Sequence, residues 1–334
     1  MIWYKPDLFY VRKGCFSLAQ LAIGLEWSLK SRGVRPCFPL YVKVEPTRRC
    51  NSHCTMCTRQ VLPSCPDLNF NDFKHIMNEL KDGVIFSPHG FGEPLLHKDF
   101  LNFMVEVHRR KKQIQLVTNG SLLDSYTSHD FLKLCKPSLI AFSLDAAEKS
   151  LYESIRRGLS YSRLVENIRG TLENRKRLKS RCLIEISCTI GRYNMDQVYP
   201  IACLANELGV DILTFTDLTL HGVGLATPEN AIRLTRNSIV SEIEGIERMF
   251  PRLKVKSNLK MDNATKANSC KWPFSGVFIA ANGDIFPCSN TLRFKMGNIF
   301  ESSFKEIWLG ENYLRFRRSF LSNPYAECKS CVLY

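Results

Sequence analysis

The chain has 334 residues, 45% of them hydrophobic and 23% charged, with a formal net charge of +14. That length allows a large core, so one large domain and a smaller one are expected, and the balance excludes a disordered or fibrous chain. No run of about 18 apolar residues occurs and Met1–Tyr10 lacks a signal-peptide plan, so no membrane partner and a cytoplasmic location are expected.

Residues 1–39 read as an added helical or irregular extension, with helical periodicity over Phe16–Leu29. From Leu40 the chain alternates short apolar strands with longer helical patterns. The strand candidates are Leu40–Glu45, Val84–Ser87, Ile114–Thr118, Leu139–Leu144, Leu183–Thr189 and Ile212–Asp217. Helix candidates lie at Asn71–Leu80, Phe100–Arg110, Ser128–Cys135, Tyr161–Leu178 and Met195–Leu208, the last opened by Asn194 and stopped by Gly209. Parallel strands need crossovers, and the crossovers are right-handed. The expectation over 40–220 is therefore an α/β fold, a partial (β/α)6 barrel with its site at the C-terminal strand ends. Residues 221–268 break the alternation and read as a connecting segment with a polar helix over Arg236–Met249. Residues 269–334 form a small C-terminal domain.

The chain holds fourteen cysteines. Disulfides are rare in a reducing compartment, so spacing matters more than number. Cys50, Cys54 and Cys57 follow the first strand in a C-x3-C-x2-C pattern. Structural zinc takes four protein ligands, often from paired C-x2-C knuckles. Three cysteines on one loop favour instead a [4Fe–4S] cube with one iron left open. His53, inside the loop, is a competing ligand. Cys270, Cys288, Cys328 and Cys331 form a second set, in which Asn282-Gly283-Asp284 reads as a hairpin turn that brings the first two together. Zinc stays open as a reading of that set. Cys15, Cys37, Cys65, Cys135, Cys182, Cys188 and Cys203 are scattered and read as small core residues.

After the second strand comes His89-Gly90-Phe91-Gly92-Glu93-Pro94, where glycine lets backbones approach closely. The third strand ends at Asn119-Gly120 and the fourth at Ser143-Leu144-Asp145. The basic runs Arg109–Lys112 and Arg175–Arg177 fall at helix ends, where they complement the dipole and meet water. Arg315-Phe316-Arg317-Arg318 interleaves an aromatic, a pattern shared by a nucleic-acid patch and an amphipathic helix.

From residue 40 to the end, these motifs together resemble the radical S-adenosylmethionine (SAM) enzymes. The resemblance implies that Cys50, Cys54 and Cys57 hold the SAM-cleaving cluster. It implies SAM contacts at Met56, Gly92, Glu93, Asn119, Ser143, Arg156 and Thr189, with Glu93 at the methionyl amino group. Phe91 stands where many members have glycine, and Met56 where an aromatic is common. The C-terminal cysteines resemble the Twitch domain, a shortened SPASM domain, which implies one auxiliary [4Fe–4S] cluster on Cys270, Cys288, Cys328 and Cys331.

The implied chemistry is hydrogen-atom abstraction by a 5′-deoxyadenosyl radical, with the auxiliary cluster passing or accepting an electron. The expected substrate is a small metabolite (sugar, cyclitol or nucleotide-linked, in keeping with the basic charge), with a flavodoxin or ferredoxin-type electron donor. A peptide side chain is the alternative substrate, and an iron–sulfur electron-transfer or sensing protein is the alternative of another class. No dedicated RNA module is present, so a nucleic-acid partner is not expected. His89, Asp217 and His221 lie near strand ends as proton-transfer candidates.

Overall fold

The computed structural model describes residues 38–220, 223–232, 235–259, 270, 272–329 and 331. The N-terminal extension, apart from its last two residues, and His221 lie outside the described residues, as do Cys15 and Cys37.

Six βα units build the expected partial barrel. The parallel strands are β1 (Tyr41–Val44), β2 (Ile85–Ser87), β3 (Gln113–Thr118), β4 (Leu139–Ser143), β5 (Leu183–Ile190) and β6 (Ile212–Asp217). Outside them run α1 (Phe70–Glu79), α2 (Phe100–Arg109), α3 (Ser125–Asp130), α4 (Lys149–Ile155), α5 (Tyr161–Arg177) and α6 (Val198–Leu208). Start signals explain several boundaries. The Asn69, Asp124 and Ser160 side chains accept from backbone N–H groups in the first turns of α1, α3 and α5, satisfying donors the helix cannot pair itself. Helix α3 begins three residues before the expected Ser128 because Asp124 caps it. It then widens into a π turn over Phe131–Cys135 and stops at Lys136, whose φ is +46°.

The connecting segment is more than a connection. Its helix α7 (Arg236–Met249) leads into β7 (Lys254–Ser257), which pairs parallel with β6 as a seventh barrel strand. The sequence reading missed it because Lys254-Val255-Lys256-Ser257 at the sheet edge has little apolar character.

The C-terminal part also joins the sheet. After α8 (Trp272–Ser275), β8 (Gly276–Ile279) pairs parallel with β1, and β9 (Asp284–Phe286) and β10 (Gly297–Asn298) continue antiparallel. The order is β10-β9-β8-β1-β2-β3-β4-β5-β6-β7. The expected turn lies between β8 and β9, with Gly283 at φ +84°. Helices α9 (Phe304–Leu309), α10 (Glu311–Ser322) and α11 (Ala326–Lys329) complete the chain.

Arg315–Arg318 lies in α10, and the amphipathic reading holds. Phe316 and Arg317 are buried. The Arg317 guanidinium lies 4.2 and 4.4 Å from the Trp308 and Tyr313 ring centres and donates to the Trp308 and Pro273 carbonyls. The other basic runs do end helices, and Arg109 and Arg110 both pair with Glu106. Cys135, Cys182 and Cys188 are buried core residues, as expected of small apolar groups. Among the described residues no helix is long and apolar enough to cross a membrane.

Candidate functional site

Strand β1 alternates in burial, with Val42 and Val44 shut into the core and Tyr41 and Lys43 turned to the lumen. The strand ends beside Glu45, and the loop carrying Cys50, Cys54 and Cys57 follows over the C-terminal strand ends. All three thiols are free and half-buried. Burial pushes the Cys50 and Cys57 thiols up, while neighbouring backbone N–H groups work against it.

This loop is held from several sides. His53 and Thr55 N–H groups donate to the carbonyls of Arg157 and Ile155, just beyond and at the end of α4. Asn51 bonds Asn119 and Ser121 after β3. Leu225, in the connecting segment, donates to the Thr55 carbonyl. The Glu93 N–H donates to Arg49, and Gly92 packs so closely that a Cβ there would overlap the Thr47 and Arg49 carbonyls. The glycine before Glu93 is therefore required by the cluster loop itself.

Glu93 is 3% exposed, and burial raises its carboxyl. It accepts from Thr118 Oγ1 at 2.7 Å, the Asn119 N–H at 2.8 Å and the Leu95 N–H at 3.2 Å. Arg156 Nε stands 2.8 Å from Asp145 Oδ2, an ion pair whose angle falls short of a hydrogen bond. Arg156 Nη1 lies 3.9 Å from Cys54 Sγ. Asp145 Oδ1 accepts from the Thr189 N–H, so Thr189, Asp145, Arg156 and Cys54 form one chain. Ser143 is half-buried in register with Ser187, and Met56 is half-buried inside the loop.

The proton-transfer candidates separate. Asp217, the last residue of β6, pairs at 3.7 Å with Arg236 of α7. His89 lies close to the lumen side of β1, within reach of Lys43, and burial together with that ammonium pushes its imidazole well down. Ser87 Oγ donates its single proton to the Gln115 carbonyl, so its 2.6 Å contact with His89 Nδ1 must be Nδ1–H donating to Ser87. That leaves the lone pair on His89 Nε2, which has no hydrogen-bond partner among the described residues.

At the other end of β8, Cys270, Cys288, Cys328 and Cys331 line one cavity with Trp272. Cys288 is pushed up by burial. Tetrahedral zinc at about 2.3 Å from each sulfur draws thiolates within about 4 Å of one another. No three Cys, His, Asp or Glu side chains among the described residues converge as one metal ion needs. Four cysteines lining one shared cavity fit the four-thiolate ligation of a cluster. The N-terminal loop fits one as well: it offers three unpaired thiols on a backbone already bonded in place, with a guanidinium beside them.

Sequence reasoning missed Glu45, Asn51, Asp145 and Lys43. Glu45 is fully buried, pairs with Arg48 at 2.8 Å and accepts from the Phe91 N–H. A carboxylate directly after an apolar strand was the available signal.

Residues 44–186 match the radical SAM superfamily, and residues 270–332 match the iron–sulfur cluster-binding domain SPASM. The chain is 24% identical over 325 residues to a tungsten-containing aldehyde ferredoxin oxidoreductase cofactor-modifying protein of Pyrococcus furiosus, spanning 88% of this chain and 87% of that protein. It is 24% identical to a PqqA peptide cyclase of Xanthomonas euvesicatoria, over 84% of this chain and 77% of that one. Its fold matches that of SuiB from Streptococcus suis, solved with S-adenosylmethionine, at a TM-score of 0.71 and 16% identity, covering 90% of this chain and 72% of that one. SuiB has also been solved with its precursor peptide SuiA.

Proposed function

We infer, for a chain that is a radical SAM enzyme with a C-terminal SPASM/Twitch-type iron–sulfur domain, that the substrate is a peptide side chain. The enzyme carries [4Fe–4S] clusters and binds S-adenosylmethionine. Cys50, Cys54 and Cys57 would hold the N-terminal cluster, which would supply the electron for reductive SAM cleavage and so the means of removing a hydrogen atom from the substrate.

The observation that carries the radical SAM chemistry is the cluster loop. Cys50, Cys54 and Cys57 leave room for a fourth, non-protein ligand, and the loop is fixed by backbone bonds before any cofactor arrives. Arg156 stands beside Cys54 as a fixed positive charge for the SAM carboxylate, oriented by Asp145. Glu93, Asn119 and Thr118 shape the wall against which SAM lies, with Gly92, Met56, Ser143 and Thr189 around it. Cys270, Cys288, Cys328 and Cys331 hold the auxiliary cluster. His89 Nε2, neutral and bearing a lone pair, accepts a proton from the oxidised substrate.

The peptide assignment draws on the relatives. One is named a peptide cyclase, and SuiB has been solved with a precursor peptide. They support a peptide over the small metabolite expected from sequence. The Pyrococcus relative, which matches most of both chains and is named as cofactor-modifying, favours a small molecule as the second reading.

Anaerobic reconstitution followed by incubation with short peptides encoded beside the gene tests this. A mass change in a peptide, coupled to 5′-deoxyadenosine release, is expected. Turnover of small metabolites with every adjacent peptide left unmodified would replace the peptide reading with the second one.

A further inference from the structure

Lys43 is used by neither the cluster loop nor the SAM wall. It sits on the lumen side of β1, in register with Ser87 of β2 and Phe278 of β8. Its ammonium lies over Trp272, 4.9 Å from the ring centre, and Trp272 lines the auxiliary cavity. Among the described residues no carboxylate pairs with it. The titratable groups that act on it are the Cys288 and Cys331 thiols, and its own charge acts on His89.

An ammonium drawn partly out of bulk water with no anion beside it is disfavoured. A cation–π contact offsets only part of that cost. The neutral thiols return nothing. A [4Fe–4S] centre held by four thiolates carries net negative charge in either redox state, and Lys43 reaches its cavity through Trp272, which the ammonium overlies and which lines the cavity with all four cysteines.

We propose that Lys43 is the built-in counter-charge of the auxiliary cluster and raises its reduction potential. Cluster potentials follow net charge, hydrogen bonding to sulfur and solvent exposure. A fixed positive charge on the lumen side favours added negative charge, making the auxiliary centre the better electron acceptor from a lumen-bound substrate. The proposal rests on the four-cysteine centre and not on the identity of the substrate.

The test is an EPR-monitored redox titration of the full chain, reconstituted anaerobically in a Cys54→Ala background so that only the auxiliary centre reports. Lys43→Met is expected to shift the midpoint negative by at least the equivalent of a tenfold change in the reduction equilibrium, about 59 mV for a one-electron couple. Lys43→Arg is expected to keep it near the parent value. An unchanged midpoint in Lys43→Met overturns the proposal. Where Lys43→Met binds no auxiliary cluster, Lys43→Arg decides: recovered iron and potential support the counter-charge, and failure of both variants overturns it.

Discussion

Arg156 Nε and Asp145 Oδ2 meet at 2.8 Å behind the cluster loop, with Asp145 fully buried and Arg156 12% exposed. The pair links the end of α4 to the turn after β4 and points a guanidinium at Cys54. Removing one partner strands the other charge, which costs about 3 kcal/mol. Arg156→Met is expected to unfold at clearly lower denaturant than the parent and to lose SAM cleavage. The double variant Arg156→Met/Asp145→Asn is expected to recover much of the stability without the activity. Chemical denaturation of all three proteins, with 5′-deoxyadenosine assays, checks this. Additive stability losses in the double variant contradict the pairing.

The two cysteine sets separate by iron content. Two complete clusters give about eight irons per chain, and losing either set leaves about four. Cys54→Ala is expected to abolish SAM cleavage. Cys328→Ala is expected to retain part of the cleavage while forming no product. Full product from Cys328→Ala removes the auxiliary role.

Gly92→Ala forces a methyl group against the Thr47 and Arg49 carbonyls, a backbone overlap that no rotamer relieves. Overpacking of this kind costs about 1–3 kcal/mol. The variant is expected to fold, as read by circular dichroism, but to take up less iron in the N-terminal loop. Iron uptake equal to the parent shows that the close approach is not needed.

Glu106 accepts from Arg109 and Arg110, which together hold its carboxyl down to about 2 from its ordinary 4.5, with burial opposing them. A folded value below the unfolded one adds stability that is fully present above about pH 4.5 and disappears as pH falls towards 2. Solvent screening of the exposed Arg109 keeps this contribution small. Glu106→Gln is expected to lower the melting temperature at pH 7 and to flatten its acid dependence below 4.5. Parallel melting curves for the two proteins across that range contradict it.

Arg317→Met leaves the Trp308 and Pro273 carbonyls without their buried donor, at about 1–3 kcal/mol each. Pro273 adjoins Trp272 at the auxiliary cavity. Faster proteolysis of the C-terminal part and a lower iron content are expected together. Loss of neither shows that the carbonyls find other donors.

Much of this protein was legible in one dimension. All six core strands lie within two residues of where apolar runs and turn signals put them, because parallel strands are buried on both faces and read as continuous apolar segments. Cysteine spacing is equally local, so both cysteine sets and the turn between β8 and β9 could be read directly. What failed was what depends on neighbours. Lys254–Ser257 becomes a strand because β6 offers an unpaired edge, and Arg317 is buried because two rings and two carbonyls surround it.

The sequence by itself determined the fold class, the two cysteine sets and the kind of chemistry they support, since strand periodicity and loop spacing are properties of contiguous residues. Only the tertiary structure decided that Asp145 orients Arg156, that Gly92 serves the cluster loop and that Lys43 lies over Trp272 at the auxiliary cavity. Those relations join residues from eleven to more than two hundred positions apart, and their energies arise from burial and charge that exist only once the sheet and its helices have assembled around them.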